Sequence, residues 1–251
     1  MKRYGITIIS LLCFLIIWFA ISANVNNLFV PTPISVLNGF ASLNDTGQLW
    51  NGILYSFYRV TLASVLSGIV SVFLGLLIYS NRYIRDVLLP IVKMLRYIPV
   101  TAFYPLLIMW CGIGEEMKVS FLFIVTFVSM LPSMVIIFMD ISDDLIDTGL
   151  TIGMNRFQVI RMIVFPATLP SIYETFLLQI SIGWTYIPIV ETINARYGLG
   201  YIIQQSSDRG RTDLVFAAII TIIVISLIFD KGGMLLHRLI FKWKYLNSSE
   251  D

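Results

Sequence analysis

The chain has 251 residues, of which 57% are hydrophobic and only 13% charged, and its mean hydropathy is +0.85. A soluble domain carries about a quarter charged residues. Composition therefore excludes a single water-soluble core and points to a polytopic membrane protein. The formal net charge of +2 says little by itself; the placement of the 17 basic residues says more.

Lys2 and Arg3 precede an uncharged run from Ile6 to Ala23. The run is long enough to cross a bilayer. The Asn- and Pro-rich stretch after it lacks a small-x-small cleavage site, so a retained first span is expected rather than a removed leader. Residues 24–51 read as a turn-rich loop without Lys or Arg, marked by Pro31, Pro33 and Asn44-Asp45-Thr46-Gly47. A second span is expected over 57–79, where Ser64, Ser67, Gly68, Ser71 and Gly75 suit close helix approach. The third segment carries Pro90, Pro99 and Pro105 and is predicted to bend or split.

Residues 112–118 read as a tight turn, and the 21 uncharged residues 119–139 as the clearest span. A fifth span over 168–193 has Glu174 and Glu191 inside or at its ends. A second polar loop (194–213), a sixth apolar run (214–229) and a basic tail complete the chain. The expected fold is all-α, with six transmembrane helices in one domain, 1–251. Cys13 and Cys111 form no CxxC and no metal-ligand spacing, and read as small buried hydrophobes.

Six spans put both ends on one side. That side then holds 12 basic residues, at positions 2, 3, 82, 85, 93, 96, 156, 161, 231, 238, 242 and 244, and the other side holds 5. This bias predicts that both termini, and the polar stretch 140–170, are cytoplasmic.

That stretch is the longest polar-containing interruption in the second half of the chain. Asp143, Asp144 and Asp147 precede or open a helical pattern, where acidic groups suit the positive end of the helix dipole. Apolar positions recur at Leu145, Ile146, Leu150, Ile152, Phe157, Ile160 and Val164. Gly153-Met154-Asn155-Arg156 reads as a break between two short helices, and Pro166 and Pro170 set the entry to the next span. Periodicity predicts either a half-apolar helix–turn–helix at the membrane surface, gripped by a partner, or a plain surface-seated loop.

The spacing resembles the cytoplasmic loop signature of binding-protein-dependent ABC importer permeases: Glu-Ala-Ala, three residues, Gly, nine residues, Ile, one residue, Leu-Pro. Here Asp147-Thr148-Gly149 stands for the triplet, followed in register by Gly153, Ile163 and Phe165-Pro166. Asp replaces Glu, Thr-Gly replaces Ala-Ala and Phe replaces Leu, with the spacing kept over 20 positions. Leu95-Arg96-Tyr97-Ile98-Pro99, Trp110-Cys111-Gly112-Ile113-Gly114 and the segment from Glu191 to Gly200 look like the nitrate/sulfonate/taurine/bicarbonate branch of these permeases.

The resemblance implies a type I importer permease (MetI-like) fold in the bacterial cytoplasmic membrane. It implies that two permease subunits, as a homodimer, form the path. It further implies that two cytoplasmic ABC ATPase subunits bind ATP and Mg and each receive a coupling helix, and that an extracytoplasmic solute-binding protein delivers the solute. Residues 140–167 would be the coupling loop, with Asp147, Gly149, Gly153, Met154, Asn155, Arg156, Phe157, Ile163 and Pro166 carrying the contact. Arg96, Tyr97, Tyr104, Trp184 and Glu191 are candidates for a pore or gate, beside the plainer reading of packing and interface anchoring.

Two other classes compete. An ion-coupled secondary transporter needs an internal repeat and ion-binding carboxylates; no convincing repeat is visible, and Glu174 and Glu191 suit snorkelling or helix contact. A membrane enzyme needs a reactive constellation, but the only histidine, His237, reads as interfacial, and there is no HExxH and no GxxxxGK[ST]. No cofactor and no nucleic acid are expected on this chain. A sulfonate, taurine, nitrate or bicarbonate is the expected solute, with a vitamin precursor as the alternative.

Overall fold

The structure, a computed structural model, describes residues 2–26 and 28–246; the side chains of residues 2–8, 11 and 246 lie outside the description. The side of the membrane expected for Lys2 and Arg3 therefore rests on side chains outside it.

All regular elements among the described residues are helical. Helices α1 (Lys2–Asn24), α2 (Pro33–Asp45) and α3 (Gln48–Ser80) are followed by α4 (Arg82–Leu95), a 3-10 turn (Val100–Ala102) and α5 (Phe103–Cys111). Then come α6 (Glu115–Met139), α7 (Asp143–Thr151), α8 (Arg156–Val159), a π-helical turn (Ile160–Val164) and α9 (Phe165–Glu191). Helices α10 (Leu199–Asp208), α11 (Thr212–Ile240) and α12 (Lys242–Leu246) close the chain. Two compact units form: Met1–Tyr58 with Ile187–Ile225, and Arg59–Tyr186 with Ser226–Asp251.

Four helices among the described residues are long and apolar enough to cross a membrane, namely α3, α6, α11 and the continuous helix Arg156–Glu191. There are five if the pair α4 and Val100–Cys111 counts as one span. That pair bends by 85°, where Pro99 precedes the 3-10 turn, so the broken third segment is real. Pro105 is tolerated because it falls in the first turn of α5, where its missing N–H has no intrahelical partner to lose.

The first unit holds α1 and α2. The loop expected at 24–51 contains helix α2. Thr32, read as part of a turn, is its N-cap: its Oγ1 accepts from the Ser35 N–H at 3.2 Å, and Pro33 sits at the first helical position. Trp18 on α1 donates its indole N–H to the Pro31 carbonyl at 3.1 Å and stacks on Phe216. The expected loop 194–213 likewise contains a helix, α10.

The second unit is centred on α6, which buries most of its apolar window. Met130, Met134 and Phe138 pack with Val159 and Val164, and Leu131 and Val135 pack with Ile78 and Val92. The turn expected at 112–118 ends early, because Glu115, Glu116 and Lys118 already belong to the first turn of α6. His237 is fully buried, with Nδ1 2.8 Å from the Tyr245 hydroxyl and Nε2 3.2 Å from the Pro170 carbonyl, among Tyr173, Phe241 and Tyr245. Cys13 and Cys111 are exposed and unpaired, against the burial expected of them.

Candidate functional site

The polar stretch folds as two short helices meeting at a tight corner. Ser142 caps α7, its Oγ accepting from the Asp144 N–H at 3.3 Å, and Asp143 and Asp144 occupy the first turn at the positive end of the dipole. At the other end the Met154 N–H reaches the Gly149 carbonyl (3.1 Å) and the Gly153 N–H reaches the Leu150 carbonyl (3.0 Å). These are the paired bonds of a Schellman cap, and the residue between helix and exit must adopt a left-handed backbone. Gly153 does so at φ 89°.

Two residues later Asn155 starts α8 with a reciprocal capping box. Its Oδ1 accepts from the Gln158 N–H (2.9 Å), and Gln158 Oε1 accepts from the Asn155 N–H (2.8 Å). A four-residue helix is too short to persist by propensity; the box and the buried Val159 hold it.

Gly149 is where the two arms touch. It is buried, and an added Cβ would stand 2.5 Å from Ile163 Cδ1 and 3.2 Å from Val159 Cγ2. The structure thus brings Gly149, Met154 and Ile163 together on the inner side of the corner. Asp147, Asn155 and Arg156 face outward, and Pro166 lies in the first turn of α9. Ile152 and Phe157 are 68% and 69% exposed, and Leu145 and Leu150 are also exposed.

Of the five pore candidates, Arg96, Tyr97, Tyr104 and Trp184 belong to the second unit and Glu191 to the first. Arg96 and Tyr97 stand exposed at the 85° bend. Tyr104 is edge-on to Phe121, which also meets Tyr186. Trp184 is fully buried, its indole N–H without a partner among the described residues.

Glu191 is fully buried and holds the start of α10. The Ser56 hydroxyl lies 2.8 and 2.9 Å from its two oxygens, and the Gly200 N–H donates to Oε2 at 2.8 Å. Ser56 Oγ in turn accepts from the Leu199 N–H at 2.9 Å. Gly198, at φ 141°, leaves the room: a Cβ there would fall 2.2 Å from the carboxylate. A carboxylate at a helix N-terminus satisfies both the orphan donors and the dipole.

Sequence reasoning missed one charged group. Arg59, almost fully buried, donates from Nε to Glu115 Oε2 (2.6 Å) and from Nη2 to Oε1 (2.8 Å), while Lys118, equally buried, reaches Oε1 at 2.8 Å. The available signal was an arginine at the start of an apolar span, which needs a counter-charge somewhere.

Among the described residues no cluster of His, Cys, Asp and Glu fits a metal. Residues 67–241 match the family model described as the binding-protein-dependent transport system inner membrane component. The chain is 26% identical over 249 residues to the taurine transport system permease protein TauC of Escherichia coli (strain K12), covering 96% of this chain and 90% of that protein. It is 28% identical over 215 residues to the putative aliphatic sulfonates transport permease protein SsuC of Bacillus subtilis (strain 168), covering 86% and 78%. Its fold matches a chain of the inward-facing MetNI methionine ABC transporter with a TM-score of 0.69 at 16% identity, covering 78% of this chain and 98% of that one.

Proposed function

The chain belongs to the family of inner membrane components of binding-protein-dependent transport systems, and we propose from this that residues 140–167 are its coupling loop. As a family member it is a multi-pass membrane permease subunit of an ABC importer with a MetI-like all-α fold, and not an enzyme.

In the proposed assembly two copies of the chain form the path, each with six spans and both termini in the cytoplasm. Two ATPase subunits bind ATP and Mg below them, and an extracytoplasmic solute-binding protein delivers an organic sulfonate such as taurine. The observation that carries the coupling reading is the corner at Gly149–Ile163. A capped helix presents exposed Leu145, Leu150 and Ile152 on one arm and Phe157 on the other, while the inner side is closed by packing. A short stiff element of that kind passes on a rigid-body displacement instead of absorbing it. The sulfonate reading is supported by two relatives, one named as a taurine transport permease and one as a putative aliphatic sulfonates transport permease.

The test is ATP-driven uptake of taurine into proteoliposomes holding the permease, its ATPase and the solute-binding protein. Gly153→Asn should keep more uptake than Gly153→Val, because Asn tolerates the left-handed backbone and a β-branched residue does not. Equal uptake by both variants, or uptake without the ATPase, contradicts the coupling reading. Uptake of a vitamin precursor in place of sulfonates contradicts only the solute.

A further inference from the structure

A groove in the second unit lies beside the corner just described. It is lined by Tyr79, Arg85, Asp143 and Arg156 together with apolar residues that include Met139, Ile146 and Val159. Three facts set its character. Two helices long and apolar enough to cross a membrane end at it, α3 at Ser80 and α6 at Met139, which suits a place beside lipid headgroups. Arg85 and Arg156 come from different elements and have no ion pair or side-chain hydrogen bond among the described residues. Most of the other lining residues are apolar, and the Tyr79 hydroxyl adds a polar group.

Asp143 is the one carboxylate in the lining. It belongs to the first turn of α7, where the helix's own free N–H groups offset its charge. Two guanidiniums and one carboxylate therefore line the groove among apolar side chains.

We propose that this groove binds the phosphate headgroup of an anionic phospholipid, clamped between Arg85 of α4 and Arg156 of α8. Guanidinium groups match phosphate oxygens in bidentate fashion, and basic pockets between transmembrane helices take anionic headgroups in this way. The apolar lining residues hold the glycerol and the first methylenes, which a free phosphate ion lacks. Where residues 140–167 act as the coupling loop, a reading on which only this consequence rests, the lipid ties that loop to α4 and makes its motion sensitive to membrane composition.

The probe is dioleoyl phosphatidylglycerol against dioleoyl phosphatidylcholine, with lipid retention by the full-length permease read by native mass spectrometry. Wild type should retain phosphatidylglycerol in preference. Arg85→Gln should reduce that preference about fivefold, the effect of one basic residue near an anionic surface, and Arg85→Lys should reduce it less. Arg82→Gln, on an exposed arginine beside Asp86 and outside the groove, should leave it unchanged; size-exclusion profiles check that each variant is folded. The proposal is overturned if Arg85→Gln leaves the preference intact, or if Arg82→Gln removes it equally. It is also overturned if excess inorganic phosphate displaces the lipid as well as competing phosphatidylglycerol does. Because retention is read on the permease alone, failure here leaves the uptake experiment untouched.

Discussion

Gly149 shows how one missing methyl group shapes a contact. With a Cβ 2.5 Å from Ile163 Cδ1, Gly149→Ala forces the isoleucine tip aside. Overpacking of this kind costs about 1–3 kcal/mol. Ile163→Val removes the offending carbon, so the double variant should be more stable than the sum of the singles, with a coupling of about 0.5–3 kcal/mol in thermal unfolding. The Thr-Gly departure in the signature is thus a packing feature as well as a source of flexibility. Glu191 makes the opposite case, a buried carboxyl group within hydrogen-bond distance of the Ser56 hydroxyl and the Gly200 N–H. Glu191→Ala leaves the Ser56 hydroxyl and the Gly200 N–H without their acceptor, at about 1–3 kcal/mol for each buried group. Glu191→Gln keeps one acceptor oxygen and should melt between the two, as read by thermal unfolding in detergent.

Among the elements, the short helices depend on their ends. Asn155→Ala removes the capping box of α8 at a cost of about 1 kcal/mol, and amide exchange over residues 156–160 should accelerate while that of α6 stays the same. The break between the two short helices at the corner was legible from sequence, since Gly and Asn carry strong positional preferences at helix ends. So was the break near Pro99, because proline acts locally. Helices α2 and α10 were not legible. Both lie in stretches where Pro, Asn and Gly signal turns, and at α2 the same residues served as helix starts, Thr32-Pro33 being an N-cap and first position. The role of Glu191 was out of reach for another reason: Ser56 stands 135 residues away, and no periodicity links them.

Across the molecule, burial divides the spans. The apolar window of α6 is 61% buried and that of α11 only 17%. In a bilayer apolar burial itself supplies little, and close packing carries the stability. Met134→Ala, at a fully buried position of α6, should therefore cost about 2–5 kcal/mol by opening a cavity, while Ile228→Ala, 63% exposed on α11, should leave thermal unfolding in detergent unchanged. The π-helical turn at Ile160–Val164 has its own effect at this scale. It runs without interruption from α8 into α9, so the 36 residues from Arg156 to Glu191 form one rod with a wide turn near its start. One residue advances an α-helix by about 100° about its axis, and a wide turn takes up such a residue without breaking the rod. Phe157 and the side chains of α9 are therefore set at a fixed angular phase, like two cams keyed on one shaft. Deleting a single residue between 160 and 164 would rekey them, turning the exposed face of α8 to a new bearing while leaving the length and composition of the span almost as they were.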